Sequence, residues 1–220
     1  MLALDHLVVA ADSLAQGVRW CEGLFGVTPG QGGQHPLMGT HNRLLRVATE
    51  TFADAYLEII AIDPEAPPPG RMRWFGLDEP PLRERLRQRP RLLHAVFRTD
   101  ALDELRAALA TAGHDPGAPV EARRDTAQGP LHWRITVRDD GRLAFGGALP
   151  TLIEWRGRHP AASMPASGVR LGALALAGLP EAVQRLLPLP AVGFGPAGEP
   201  ALRATLSSPR GAAILASDPG

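Results

Sequence analysis

The chain carries its opening strand twice. Leu4-Asp5-His6-Leu7-Val8-Val9-Ala10-Ala11-Asp12 is echoed by Leu92-Leu93-His94-Ala95-Val96-Phe97-Arg98-Thr99-Asp100, with His94 and Asp100 each 88 residues beyond His6 and Asp12. A repeat constrains a fold more than any local propensity, because both copies must form the same unit and bury their apolar faces together. It implies two strands related by a pseudo-twofold axis, each bringing one histidine. Each copy is followed by an apolar run holding a single glutamate, Tyr56-Leu57-Glu58-Ile59-Ile60 and Leu152-Ile153-Glu154-Trp155. A carboxylate in such a run is costly to bury unless it is paired or bound to a cation. His6, Glu58, His94 and Glu154 are therefore candidates for one metal site. Two imidazoles with two carboxylates suit a divalent Zn, Ni, Co, Mn or Fe ion rather than a thiophilic metal.

The elements around the repeat read alike in both copies. In the first, residues 3–10 form a strand, Asp12 or Ser13 caps a helix running to about Leu24, and Gly26 stops it. Val27 to Pro36 is Gly-rich and reads as irregular, with Gly30-Gln31-Gly32-Gly33 a flexible turn rather than a phosphate loop. Arg43–Thr49 and Ala55–Ile62 read as strands, and the unit is β-α-β-β-β. The second copy has a strand over Leu92–Arg98, a helix from Leu102 to about Ala112, and strands over Leu131–Arg138 and Thr151–Arg156. These divisions give modules at 1–62 and 92–157, joined by a Pro-rich connection at 63–91 that holds a short helix near Arg83–Arg89. Gly157–Gly168 reads as a linker. Residues 158–220 then hold that linker and a degenerate β-α-β-β unit whose equivalent positions, Ala173 and Ile214, have no metal-binding side chain. The fold class is α+β, two fused β-α-β-β-β modules forming a cupped mixed sheet plus this third unit.

Charge narrows the partners. Twenty-three basic residues balance twenty-three acidic ones without a long block of one sign, so bulk electrostatics favours neither nucleic acid nor a membrane surface. A small-molecule substrate is the expected partner. No window reaches the roughly eighteen apolar residues of a membrane span, and the N-terminus has no signal-like stretch, so the expected address is cytoplasmic. Cys21, the single cysteine, reads as a half-buried helix residue.

Strand alternation places His6 on one face with Leu4, Val8 and Ala10, leaving Leu7 and Val9 toward the helix. The repeat continues in His41-Asn42-Arg43 and His132-Trp133-Arg134, 91 residues apart. Each His shares a face with its Arg. If that face is concave, His41, Arg43, His132 and Arg134 are candidates to grip a substrate carboxylate or phosphate. On the other face they are ordinary surface residues.

In the order and spacing of these segments, residues 3 to 157 resemble the vicinal oxygen chelate superfamily, particularly its glyoxalase-like domain proteins (the glyoxalase, bleomycin-resistance and dioxygenase fold). The resemblance implies paired modules curved around a divalent metal, with His6, Glu58, His94 and Glu154 on the ligand-bearing first and fourth strands. It further implies metal-assisted proton transfer of isomerase or lyase type on a small oxygenated metabolite, with Glu154 as the base and Glu58 as its symmetric alternative. Two other readings follow from the same resemblance: a metal-free protein that sequesters a small molecule, and an iron-dependent extradiol-type dioxygenase using His6, His94 and Glu154. Such proteins complete their sites within one chain or across a homodimer.

Overall fold

A computed structural model describes residues 1–126, 128–189, 191–199 and 201–218. The first half comprises β1 (Ala3–Ala10), α1 (Leu14–Phe25), β2 (Gly30–His35), β3 (Thr40–Arg46) and β4 (Tyr56–Ile62). Ser13 caps α1 by accepting from the Gln16 amide, and Gly26 ends it in a left-handed conformation. A connection follows, with α2 (Pro80–Gln88) started by two prolines whose missing N–H groups cost nothing there. The second half repeats the order in β5 (Arg91–Arg98), α3 (Leu102–Thr111), β6 (Ala118–Arg124), β7 (Leu131–Val137) and β8 (Thr151–Arg156). The Gly-rich stretch read as irregular is the edge strand β2.

The eight strands form one mixed sheet in the order β2-β3-β4-β1-β5-β8-β7-β6. At its centre β1 and β5 run antiparallel, with His6 opposite Val96 and Val8 opposite His94. These two pairs exchange under a twofold that adds 88 to the residue number, so the sequence repeat is the symmetry of the sheet.

One face is backed by Leu7, Val9, Leu57, Ile59, Phe97 and Leu152, which pack in one core with Phe25 of α1 and Leu102 and Leu109 of α3. The opposite, concave face carries Val8, Ala10, Ile60, Val96, Trp133, Ile135 and Ile153. Over it lie Trp74 and Phe75 from the connection. Phe75 has a φ of 60°, which costs a non-glycine residue roughly 1–2 kcal/mol and marks a position fixed by its surroundings.

A separate four-stranded sheet, β10-β9-β11-β12, is built from β9 (Arg170–Ala177), β10 (Val192–Gly195), β11 (Leu202–Ser208) and β12 (Gly211–Ala216), with α4 (Glu181–Leu186) between its first two strands in the chain. It packs behind β5 and against α1. Its first strand lies parallel to β10, whereas β1 lies parallel to β4, so the unit departs from the module in topology as well as in side chains. Among the described residues no helix is long and apolar enough to cross a membrane.

Candidate active site

A local irregularity of β1 makes the site. Leu4 pairs with Phe97 and His6 with Val96, so Asp5 is an extra residue, a β-bulge in the ladder. A bulge re-aims side chains. Leu4 consequently joins the rear core with Leu7 and Val9, not the face of His6 that strict alternation assigns to it. The Asp5 carboxylate, with no exposed surface, accepts three N–H groups: His6 Nδ1 at 2.6 Å, Trp155 Nε1 at 2.7 Å and His159 Nε2 at 2.9 Å. Burial alone would raise its pKa, but the bonds and charges of His159 and His6 outweigh that and hold it well below the usual carboxylate range.

With Nδ1–H committed to Asp5, His6 presents Nε2 to Glu58 Oε2 at 3.5 Å. Burial disfavours charge on this imidazole, yet Asp5 and Glu58 together raise its pKa above 6.5. Both neighbours therefore favour the charged form of the ring, whose Nε2 is the nitrogen that faces Glu58. The other Glu58 oxygen accepts from Asn42 Nδ2 at 2.6 Å. Asn42 is oriented by its carbonyl, which accepts from the Gly33 amide at 2.8 Å and from Arg124 at 3.3 Å. Beyond Asn42 stands buried His35, with Nε2 3.4 Å from Asn42 Nδ2 and Nδ1 3.1 Å from the Thr40 hydroxyl. Tyr56 stacks on His6 with centroids 4.8 Å apart.

These groups border an inner cavity of about 40 Å³ walled by Trp74, Phe75, Trp133, Ile153 and Trp155. It adjoins a vestibule of about 530 Å³, and Leu44, Arg124 and Pro160 line both. The Gly-rich strand β2 has a structural reason here. A Cβ on Gly32 would lie 2.1 Å from Asn42 Oδ1, and one on Gly33 2.5 Å from the Arg124 side chain, so only glycines let β2 pass this closely.

A profile of the glyoxalase-like domain family matches residues 4–189. The chain belongs to the glyoxalase-like domain family. Among solved structures, a hypothetical protein from Staphylococcus aureus aligns at a TM-score of 0.55 and 15% identity, over 81% of this chain and 70% of that one. A methylmalonyl-CoA epimerase from Mycobacterium tuberculosis aligns at a TM-score of 0.41 and 16% identity, over 74% of this chain and 92% of that one. Methylmalonyl-CoA epimerase from Streptomyces coelicolor, in complex with 2-nitronate-propionyl-CoA, aligns at a TM-score of 0.45 and 16% identity, over 71% of this chain and 100% of that one. No curated protein matches the chain.

Within this glyoxalase-like fold, the second half keeps the geometry and loses the chemistry. The twofold that relates His6 to His94 also relates the bulge residue Asp5 to Leu93, which is the extra residue between the pairs Val8–His94 and Val9–Leu92. Val8 pairs with Glu58 on β4, and its counterpart Val96 pairs with Thr151 on β8. The counterpart of Glu58 is therefore Thr151. By the same register Asn42, opposite Ile60, corresponds to Ile135, opposite Ile153.

The four expected ligands do not converge. His94, with no exposed surface, donates from Nδ1 to the Gly147 carbonyl at 2.7 Å and accepts at Nε2 from the Thr151 amide at 3.0 Å. Both ring nitrogens are occupied by protein. Glu154 lies an odd number of positions from Thr151 and so faces the rear, 3.1 Å from Arg134, which also binds Asp103 of α3. His6 and Glu58 remain as a pair, and among the described residues no group of three His, Cys, Asp or Glu is arranged to hold a metal ion. The donor set present does not fit the expected divalent metal, nor do His6, His94 and Glu154 form the iron triad of a ring-cleaving dioxygenase.

The second correction concerns alternation. Asn42, Leu44, Trp133 and Ile135 line the cavity, so His41, Arg43, His132 and Arg134, one residue out of phase, face away from it. His41 instead lies 3.7 Å from Asp63. The residues missed by sequence reasoning are Asp5, His35, Asn42, Arg124 and His159. Cys21 is fully buried, and burial pushes its thiol pKa up to about 12.

The two buried histidines outside the His6–Glu58 pair give an acid-sensitive fold. Burial lowers the pKa of His94 to about 4 and, with the nearby Arg124 charge, that of His35 to about 3. Below pH 6.5 the unfolded chain takes up protons that the folded chain refuses, so stability falls with pH at about 1.4 kcal/mol per unit for each histidine. Urea unfolding at pH 6.5 and pH 5 is expected to differ by about 3 kcal/mol, and His94→Gln should roughly halve that difference.

Proposed function

We propose that this glyoxalase-like protein transfers a proton at a carbon beside a carbonyl group of a small oxygenated metabolite, in an isomerase- or lyase-type reaction. The observation that carries this reading is the His6–Glu58 pair, held 3.5 Å apart in a cavity closed by three tryptophans and a phenylalanine. An imidazole N–H and a carboxylate facing one small space form an acid–base couple. Glu58 is the base: its carboxylate takes the substrate proton while the C–H electron pair moves into the new C=C bond. The carbonyl oxygen then carries the charge and accepts the proton from His6 Nε2. Asp5 positions the imidazole and compensates its charge, and Asn42 fixes the angle of the Glu58 carboxylate. Return of a proton to the same or the neighbouring carbon completes an isomerisation, and loss of a neighbouring leaving group completes a lyase reaction. The expected choice of Glu154 as base gives way to Glu58, because Glu154 faces α3.

The test is solvent exchange. In D2O, a panel of 2-oxo and 2-hydroxy carboxylates and thioesters is expected to contain at least one compound whose α-hydrogen is replaced by deuterium, read by proton NMR. Dialysis against EDTA should leave the rate unchanged. Binding without exchange across the panel would assign the cup to sequestration, and exchange lost on chelation and restored by a divalent ion would overturn the metal-independent reading.

A further inference from the structure

The vestibule is more cationic than the fold requires. Arg46, Arg124 and Arg158 line it against one carboxylate, Asp125, and Asp125 is paired outward with Arg123 at 3.2 Å. Arg46 is engaged, donating to the Ala161 carbonyl at 2.6 Å and lying 4.0 Å from Asp54. Arg124 and Arg158 have no carboxylate within ion-pair distance among the described residues; their contacts are the neutral Asn42 amide and the Thr126 hydroxyl.

Arg124 is the more demanding case. It reaches from the edge strand of the second half to the site residues of the first, at the junction of cavity and vestibule. Its Nε is buried and has no hydrogen-bond partner. A guanidinium stays charged under all ordinary conditions, and a partly buried one is costly when its donors are unmet. Two glycines of β2 are spent on giving its side chain and Asn42 room. Pinning Asn42 uses only one of the guanidinium nitrogens.

We propose that Arg124 anchors an oxyanion of the ligand, a carboxylate or a phosphate, at the mouth of the inner cavity, with Arg158 assisting from the vestibule. This rests on the proton-transfer reading for its consequence: the substrate is an organic anion whose charged group lies within a few bonds of the carbon that meets Glu58. Arg124 binds Asn42, and Asn42 binds Glu58, so one amide side chain separates the anion site from the base. The vestibule accommodates the remainder of the molecule.

The experiment is calorimetric titration of the full chain with 2-oxobutyrate, its methyl ester and inorganic phosphate. The acid should bind roughly 10–100-fold more tightly than the ester, the range expected for a charge-assisted hydrogen-bonded pair. Arg124→Gln should reduce the acid to the affinity of the ester while leaving the ester unchanged, and Arg124→Lys, which keeps the charge, should retain part of the preference. Melting curves of both variants establish that they are folded, and Arg158→Gln gives a smaller loss in the same direction without touching Asn42. Phosphate that displaces 2-oxobutyrate, and binds more tightly, supports the site and assigns its anion as phosphate. Equal affinity for acid and ester, acid binding unchanged in folded Arg124→Gln, or no binding of either anion would overturn the proposal. Glu58→Gln, which removes a neighbouring negative charge, should bind 2-oxobutyrate at least as tightly as the unmodified protein. Anion recognition and proton transfer can therefore fail separately.

Discussion

Glu58→Gln is expected to slow α-proton exchange by about 10²–10⁴-fold, the usual contribution of a positioned general base. The substitution keeps the volume of the side chain and an oxygen for the Asn42 amide to bond at Oε1, so the cavity should hold its shape. What disappears is the carboxylate that faces His6 Nε2, and with it the acceptor for the substrate proton. Glu154→Gln supplies the control, because that side chain lies on the rear face against Arg134. It should leave exchange within a factor of about two, surface changes being close to neutral. Exchange retained in Glu58→Gln and lost in Glu154→Gln would reverse the assignment of the base.

Asp5→Ala should destabilise the fold by about 3–5 kcal/mol, the cost of breaking a buried charged cluster by removing one partner. Three N–H donors from His6, Trp155 and His159 lose their acceptor at once, in an interior where water cannot replace it without opening the bulge. For a chain of this length that is a drop in melting temperature of roughly 6–20 °C, measurable by calorimetry. The pH dependence has a definite sign. Because the Asp5 pKa is lower in the folded chain, its stabilisation is complete above the unfolded carboxyl pKa and is lost as pH falls through the folded value. A melting temperature of Asp5→Ala within about 2 °C of the unmodified protein would mean that the three donors find other partners.

The repeat made the centre of the fold legible, since the copies 88 residues apart are the two strands that pair there, His6 opposite Val96 and Val8 opposite His94. What it concealed was the bulge. A period of two runs through β1 on paper, and nothing in Leu4-Asp5-His6 announces that two residues there oppose one, so strict alternation gives Asp5 no place at the site it anchors. In the second copy the misreading has another cause. The glutamate nearest the expected spacing stands three positions beyond the structural counterpart of Glu58, and an odd step along a strand changes the face. The His-x-Arg echoes fail by phase: their spacing is that of one face, but the intervening Asn42 and Trp133 hold the concave one. His159 was hidden in a segment that composition marks as a linker. Arg124 had no motif, only a place on an edge strand that approaches β2 in space.

The bend at Asp5 recurs at Leu93, where no carboxylate needs it. The same contour therefore occurs twice, one copy lined with polar groups and the other closed by Thr151, Ile135 and the Gly147 carbonyl around the His94 imidazole. A chain that looks two-sided in its primary structure thus carries the His–Glu pair in one half alone, and its binding isotherm is expected to saturate at one molecule per polypeptide.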